Sequence, residues 1–455
     1  MELSVPASGM ASARLLILTD HMPVLSDPII TELLGSIEAN RLMLLCGAGL
    51  SMPSPSNLLP AWRVAKLCYE RRRDIEVLPE ALRYDLDALA GHFHAAGHFK
   101  DQFLGLVPWA ELLGAPNAGH AAVSDLLVAR AAHSTLSANF DPLIEIWAKT
   151  RKIDLRGALD GAQATEYSAA TNPLLKFHGC LDRDRDATLW TQRQLGEASV
   201  QQRIESIKHW LSINLPGKDL LIVGFWTDWG YFNDVLADAI AVGGIGRVLV
   251  IDPDSAEGLQ RKAPGLWGHL TAGTQFSHIV GSGDEALDQL RTAFSKVWAR
   301  RFFRLAQPMA PAIPAPDPSD WLGDELYDLR RDAEGVPYNR AARQKGPTPE
   351  AAQAALAHLL LTQANATREG AWYRLNNQTI RVVQGGGQSL STVRERYDEP
   401  SSLASPDYVI CAGAVDLSLP AKIIPGGAGA SVVRPTKGGS AKWLTLDQAR
   451  AELGI

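Results

Sequence analysis

Leu42-Met43-Leu44-Leu45-Cys46-Gly47-Ala48-Gly49-Leu50-Ser51 is an apolar run that stops at a glycine turn. Five apolar residues closed by Gly47 predict a strand over 42–46, buried on both faces as parallel strands are. A glycine turn at the carboxyl end of such a strand gathers backbone N–H groups on one side. An anion is favoured there, because successive amides form a nest and a following helix adds its positive end. The expectation is a nucleotide pyrophosphate over Gly47, Ala48, Gly49 and Ser51.

The same design recurs along the chain. Residues 134–137 read as a short strand followed by Asn139-Phe140-Asp141. Residues 174–178 read as a strand that ends at His178-Gly179, and 220–224 as one that ends at Gly224-Phe225-Trp226. Residues 248–251 end in Asp252-Pro253. Polar residues at strand ends stand at the edge where open α/β sheets bind ligands. Helical stretches are predicted over 29–39, 61–73, 121–130 and 284–304, with shorter helices across 75–115. Five apolar strands separated by helices define an α/β chain with a Rossmann-like parallel sheet and helices on both faces.

Composition narrows the classes. A chain of 455 residues with 46% hydrophobic and 21% charged residues has ample material for two or three domains. Its net charge of -6 supplies no basic footprint for nucleic acid. Four cysteines, Cys46, Cys68, Cys180 and Cys411, contain no Cys-x-x-Cys pair, so neither a zinc ribbon nor a disulfide scaffold is expected. The absence of a secretory signal and of long apolar runs points to the cytoplasm and away from the membrane. His94 and His98 have the spacing of a helical metal site. No Glu follows His94 and Gly97 weakens the helix, so a surface or packing role is expected and no metal is assigned.

Residues 307–320 hold Pro308, Pro311, Pro314, Pro316 and Pro318, which no helix or central strand accommodates. This Pro-rich stretch is read as the linker between an N-terminal domain, 1–306, and an accessory domain, 321–455. The latter is expected to be α+β, with a helix over 351–364, strands over 379–383, 408–412 and 431–434, and glycine-rich turns between them. It carries no catalytic constellation, and a role in assembly or sensing is expected.

Taken in order, Gly47-Ala48-Gly49-Leu50-Ser51, Asn117-Ala118-Gly119-His120, Asn139-Phe140-Asp141, His178-Gly179 and Gly224 resemble the sirtuin family. The resemblance covers roughly residues 30 to 300. It implies a Rossmann-like domain that holds NAD+ with its nicotinamide ribose near Asn139 and His178. Two departures qualify it. Deacylase sirtuins carry a zinc module on two Cys-x-x-Cys pairs, and this chain cannot build one. Their loop after the glycine turn is replaced by Ser54-Pro55-Ser56-Asn57-Leu58-Leu59-Pro60, where gating of substrate access is expected. The pattern is closer to the sirtuin-like NADases of bacterial antiviral (abortive infection) systems. Those act beside a sensor such as a prokaryotic Argonaute or a HerA-type translocase, which implies a hetero- or homo-oligomer and nucleic acid only through the partner.

For such an enzyme NAD+ is the substrate, and each site residue has an expected part. Asn139 orients ribose and an attacking water, through an amide with both donor and acceptor. His178 serves as a base near neutral pKa. Asp141 orients the Asn139 loop or touches a ribose. Asp252 binds the adenosine ribose, Gly224 allows the adenosine half to approach, and Phe225 covers the adenine. His120 is expected to cap or pack a helix. The alternatives are an NAD-dependent protein deacylase or ADP-ribosyltransferase, and a catalytically silent module that binds NAD+ or ADP-ribose.

Overall fold

The computed structural model describes residues 23–73, 75–150, 153–168, 171–272, 274–315, 349–369, 372–384, 389–390, 406–414 and 441–455. Seven strands form the main sheet: β1 (Leu42–Cys46), β2 (Ser134–Ser137), β3 (Gly157–Ala158), β4 (Leu174–Lys176), β5 (Asp219–Val223), β6 (Arg247–Asp252) and β7 (Gln275–Val280). Their order is β3-β4-β2-β1-β5-β6-β7, and every pairing is parallel. β1 is therefore central. The chain leaves it first toward β2 and later returns to its other side with β5. Its carboxyl end is where the winding changes direction, the place an α/β sheet offers a ligand crevice.

Every residue of β1 and β5 is buried, which accounts for their unbroken apolar reading. Alternate side chains serve opposite faces, as the two-residue period of a strand requires. Leu42, Leu44 and Cys46 join one core with Leu126, Leu287 and Phe294. Met43 and Leu45 join the other with Ile207, Trp210, Phe232 and Leu236. Helices Ala118–Val128 and Gly283–Arg304 cover the first face, and Ala198–Asn214 and Gly230–Gly243 the second. A third core lies in residues 61–112. There Phe93, Phe99 and Phe103 pack with Trp190 and, at its margin, Phe140.

Two strands of this sheet escaped the sequence reading for physical reasons. β3 has two residues, too few to show a period. β7 is an edge strand whose side chains are all exposed or half-buried, so it lacks a continuous apolar run. The strand expected over 174–178 stops at Lys176, and Phe177 and His178 form the turn beyond it. The helix expected from 121 begins at Ala118, because Asn117 and His120 build a capping box at its start.

A second sheet lies in the C-terminal part. It comprises β8 (Thr367–Glu369), β9 (Trp372–Leu375), β10 (Gln378–Gln384), β11 (Tyr408–Ala412) and β12 (Lys442–Thr445), in the order β12-β11-β10-β9-β8. β10 and β11 match expectation, and the helix runs Pro349–Gln363. β8, β9, β12 and the closing helix Leu446–Leu453 were not anticipated, being short and rich in polar residues. The strand expected over 431–434, and the glycine turns after 384, fall outside the described residues. The apolar core of the first sheet face continues through Phe302 and Phe303 to Ala354, Leu361, Tyr373 and Ile410.

Candidate active site

Strand register assembles the site. Cys46 pairs with Ser137 and Val223, and Ser137 pairs with Lys176. Asn139 and His178 thus each stand two residues past a paired position on neighbouring strands. Gly47 and Gly224 each stand one residue past, on β1 and β5.

Ser51 is the hub. Its Oγ lies 2.9 Å from Asp141 Oδ2, 3.0 Å from His120 Nε2 and 3.0 Å from Asn139 Nδ2. The Asn117 backbone N–H donates to His120 Nδ1 at 3.2 Å. Nδ1 is therefore an acceptor, which places the ring proton on Nε2 and makes it a donor to Ser51. Ser51 accepts from His120 and Asn139 and donates to Asp141, using one hydrogen and both lone pairs. Asn139 consequently points Nδ2 at Ser51 and leaves Oδ1 buried with no partner among the described residues. Asp141 is spent on position: Oδ2 accepts from Ser51, and Oδ1 accepts from Leu143 N at 3.2 Å. His120 does cap its helix, as expected. It also holds Ser51, a contact across 69 residues that sequence alone does not display.

His178 lies in an aromatic enclosure. Its ring centroid is 4.5 Å from Trp229, 4.6 Å from Phe177 and 6.5 Å from Phe140. Nε2 is buried and has no partner among the described residues. Burial, helped by the charge of Arg203, pushes its pKa down to about 3. The expected base of near-neutral pKa is corrected here: His178 is a neutral imidazole at physiological pH, a hydrogen-bonding group and a weak base.

The glycines play a different part from the one expected. Gly47 N–H donates to Val223 O at 3.1 Å and Gly49 N–H to Gly224 O at 2.9 Å. A Cβ on Gly47 would stand 2.6 Å from Gly224 O, and one on Gly49 2.7 Å from Gly224 Cα. These glycines let the β1 and β5 turns touch backbone to backbone. Gly49 therefore has no amide to offer a phosphate, which leaves Ala48 at the head of the 3-10 turn Ala48–Ser51. Gly224 admits the Gly49–Leu50 backbone rather than an adenosine. Phe225 is 4% exposed and packs against Phe177 and Phe232, so core packing takes the side chain expected to cover an adenine. Asp252 ends β6, two strands from β1, and its Oδ1 accepts from Asp254 N at 2.9 Å.

A buried ion pair supports the β2 turn. Lys176 Nζ lies 3.2 Å from Glu145 Oε1 and donates to the Asp141 carbonyl at 2.5 Å. Replacing one partner leaves the other charged and buried. Lys176→Met is expected to cost roughly 3–5 kcal/mol in urea unfolding, and Lys176→Met with Glu145→Leu to recover most of it. A single variant as stable as the double would show that the pair does not hold the turn.

Three histidines, His120 and His178 buried and His133 half-buried, set the acid limit. Burial lowers His120 and His133 to about 4 and His178 to about 3. The unfolded chain binds their protons below about pH 6.5, whereas the folded chain does so only near those lower values. Stability is thus expected to fall as pH drops from about 6.5 toward 4, each histidine adding up to roughly 1.4 kcal/mol per pH unit. Urea midpoints between pH 4.5 and 7.5 check this, and a flatter profile in His133→Gln would assign the share of that group.

His94 Nε2 lies 2.8 Å from Glu197 Oε1 and His98 Nδ1 3.2 Å from Asp101 Oδ2, so each ring has its own acidic partner. Among the described residues no group of three or more His, Cys, Asp or Glu could hold a metal ion. No described helix is long and apolar enough to cross a membrane.

The family model for the SIR2-like domain matches residues 133–269, the stretch that carries Asn139, Asp141, His178 and Gly224. Over that stretch the chain is similar to the SIR2-like domain. Solved structures similar to the chain include a Sir2 homologue–NAD complex, 16% identical, with a TM-score of 0.34, covering 59% of this chain and 94% of that one. A mutant Sir2 homologue–ADP-ribose complex is also 16% identical, with a TM-score of 0.31, covering 58% and 95%. None of the curated proteins matches.

Proposed function

We propose that the chain is an NAD+ glycohydrolase that releases nicotinamide and ADP-ribose. The observation that carries this reading is the pair of buried, unpartnered polar atoms, Asn139 Oδ1 and His178 Nε2, at adjacent strand ends beside a saturated Ser51 hub. Buried polar atoms without partners are rare and costly, and a ribose with its attacking water would supply the missing partners. The bond from C1′ to the nicotinamide nitrogen breaks with its electron pair leaving on the pyridine, and C1′ takes on oxocarbenium character. Water adds to C1′ and loses a proton to solvent. Asn139 Oδ1 accepts from that water and fixes its line of attack. His178, neutral, holds a ribose hydroxyl, and Ala48 offers an amide to the pyrophosphate. Asp252 retains one carboxylate oxygen for the adenosine ribose.

Loss of NAD+ followed by mass spectrometry, on the full chain with and without candidate activators, tests the reaction. Because His178 titrates far below neutrality, cleavage is expected to stay level between pH 6 and 8. An acidic limb near pH 6.5 that disappears in His178→Asn would restore His178 as the base.

We further propose that NAD+ depletion is an antiviral or anti-plasmid effector activity in the cytoplasm. A sensor such as a prokaryotic Argonaute or a HerA-type translocase, or oligomerisation, would trigger it. Residues 321–455 would serve assembly or sensing. The acidic chain supports reading nucleic acid through a partner. A silent binding module is the second reading, favoured by the Trp229 ring that covers His178. Turnover in any activated preparation rules it out.

A further inference from the structure

Behind His178 lies a group of side chains that the proposed cleavage does not use. Arg203 projects from the helix Ala198–Asn214 between Val200 and Ile204, which pack against Leu189, Trp229 and Tyr231. Its Nη1 donates to the Ala187 carbonyl at 2.9 Å. Nε and Nη2 are buried and have no partner. The Tyr231 hydroxyl is in the same state, as is His178 Nε2. The Tyr231 ring lies 6.3 Å from that of His178 and 5.8 Å from that of Trp229. Asp160, Asp184 and Glu197 are the acids whose charges reach Arg203, and among the described residues none of them forms an ion pair with it.

The two unpaired donors of Arg203 are not an arbitrary pair. Nε–H and one Nη2–H share the side-on edge of the guanidinium plane, the edge that meets the two oxygens of a carboxylate in parallel hydrogen bonds. A buried guanidinium with that edge unpaired carries a large desolvation cost, which an anion would relieve. We propose that Arg203 and Tyr231 form a carboxylate-recognition site adjoining His178. Arg203 grips both oxygens and the Tyr231 hydroxyl donates to one of them. The donor atoms have no solvent exposure, so a side chain of the enclosure must move to admit the ligand, and the half-buried Trp229 beside Tyr231 and His178 is the candidate. The site stands on the side of β4, away from Asp252 on β6, so it lies at the end where the pyridine of a dinucleotide would sit. That placement alone rests on the NAD+ reading. The carboxylate comes either from a free carboxylic acid or from a dinucleotide whose pyridine bears carboxylate in place of carboxamide.

Calorimetric titration of the full chain with nicotinate, nicotinamide and inorganic phosphate tests the binding. Nicotinate is expected to bind at least tenfold more tightly than either of the others. Arg203→Lys keeps the charge but loses the planar edge, and is expected to erase the preference at an unchanged melting temperature. Tyr231→Phe is expected to weaken nicotinate severalfold. Equal binding of nicotinamide or phosphate, or a preference that survives Arg203→Lys, overturns the site. A second arm compares kcat/KM for nicotinic acid adenine dinucleotide and NAD+. A ratio that drops tenfold or more in Arg203→Lys assigns the carboxylate to the dinucleotide, and an unchanged ratio beside lost nicotinate binding assigns it to a free acid. Nicotinate binding without cleavage of either dinucleotide by the activated chain would sink the glycohydrolase reading and leave this site standing.

Discussion

Asn139→Ala is expected to lower NAD+ cleavage by about 100-fold or more, mostly in kcat. The amide does two things that alanine cannot. Nδ2 locks onto Ser51, and Oδ1 is thereby left for the proposed attacking water. His178→Ala is expected to lose a similar factor, because it removes the group proposed to hold the ribose. The measurement is single-turnover cleavage by activated protein, with melting temperature as the check on folding. NAD+ loss that persists in both variants would dismiss this site as the seat of the reaction.

Gly224→Ala is expected to destabilise the chain by roughly 3 kcal/mol or more and to abolish activity with it. Gly224 has φ +62, and its added Cβ would stand 2.4 Å from Leu50 N and 2.7 Å from Gly49 C. Both neighbours are backbone and cannot step aside as a side chain would. The β1 turn would have to retreat, carrying Ser51 away from Asn139 and Asp141. Urea unfolding and cleavage assays check this, and a Gly224→Ala protein that keeps both stability and activity would show that the two turns do not lock one another.

Burial decided what was legible in the sequence. β1 and β2 were read to the residue, because a strand covered on both faces or by tight neighbours shows a clean run. β7 was lost because an edge strand need not be apolar. At the site, Asn139, Asp141 and His178 stood out as polar residues where apolar strands stop. Their division of labour did not, since it depends on which atom of each is already bonded. Gly224 and Phe225 illustrate the ambiguity. A glycine that admits a ligand and one that admits another turn look the same in sequence, as do an aromatic over a base and one in a core. His120 hid behind its own helix cap, a local duty that fully accounts for Asn117-x-x-His120 without a second contact. The His178 pKa was misjudged because no sequence shows the aromatic rings that strip it of water.

The helix Gly283–Arg304 belongs to two neighbourhoods at once. At its start a Cβ on Gly119 would touch Asp284 Cα, and a Cβ on Gly283 would touch Val223, the last residue of β5. Toward its end Phe302 and Phe303 lie in the core that includes Ala354, Leu361 and Tyr373 of the C-terminal part. A helix of 22 residues spans about 33 Å and resists bending. One element thus ties the core beneath the second sheet to the rim of the β1–β5 crevice.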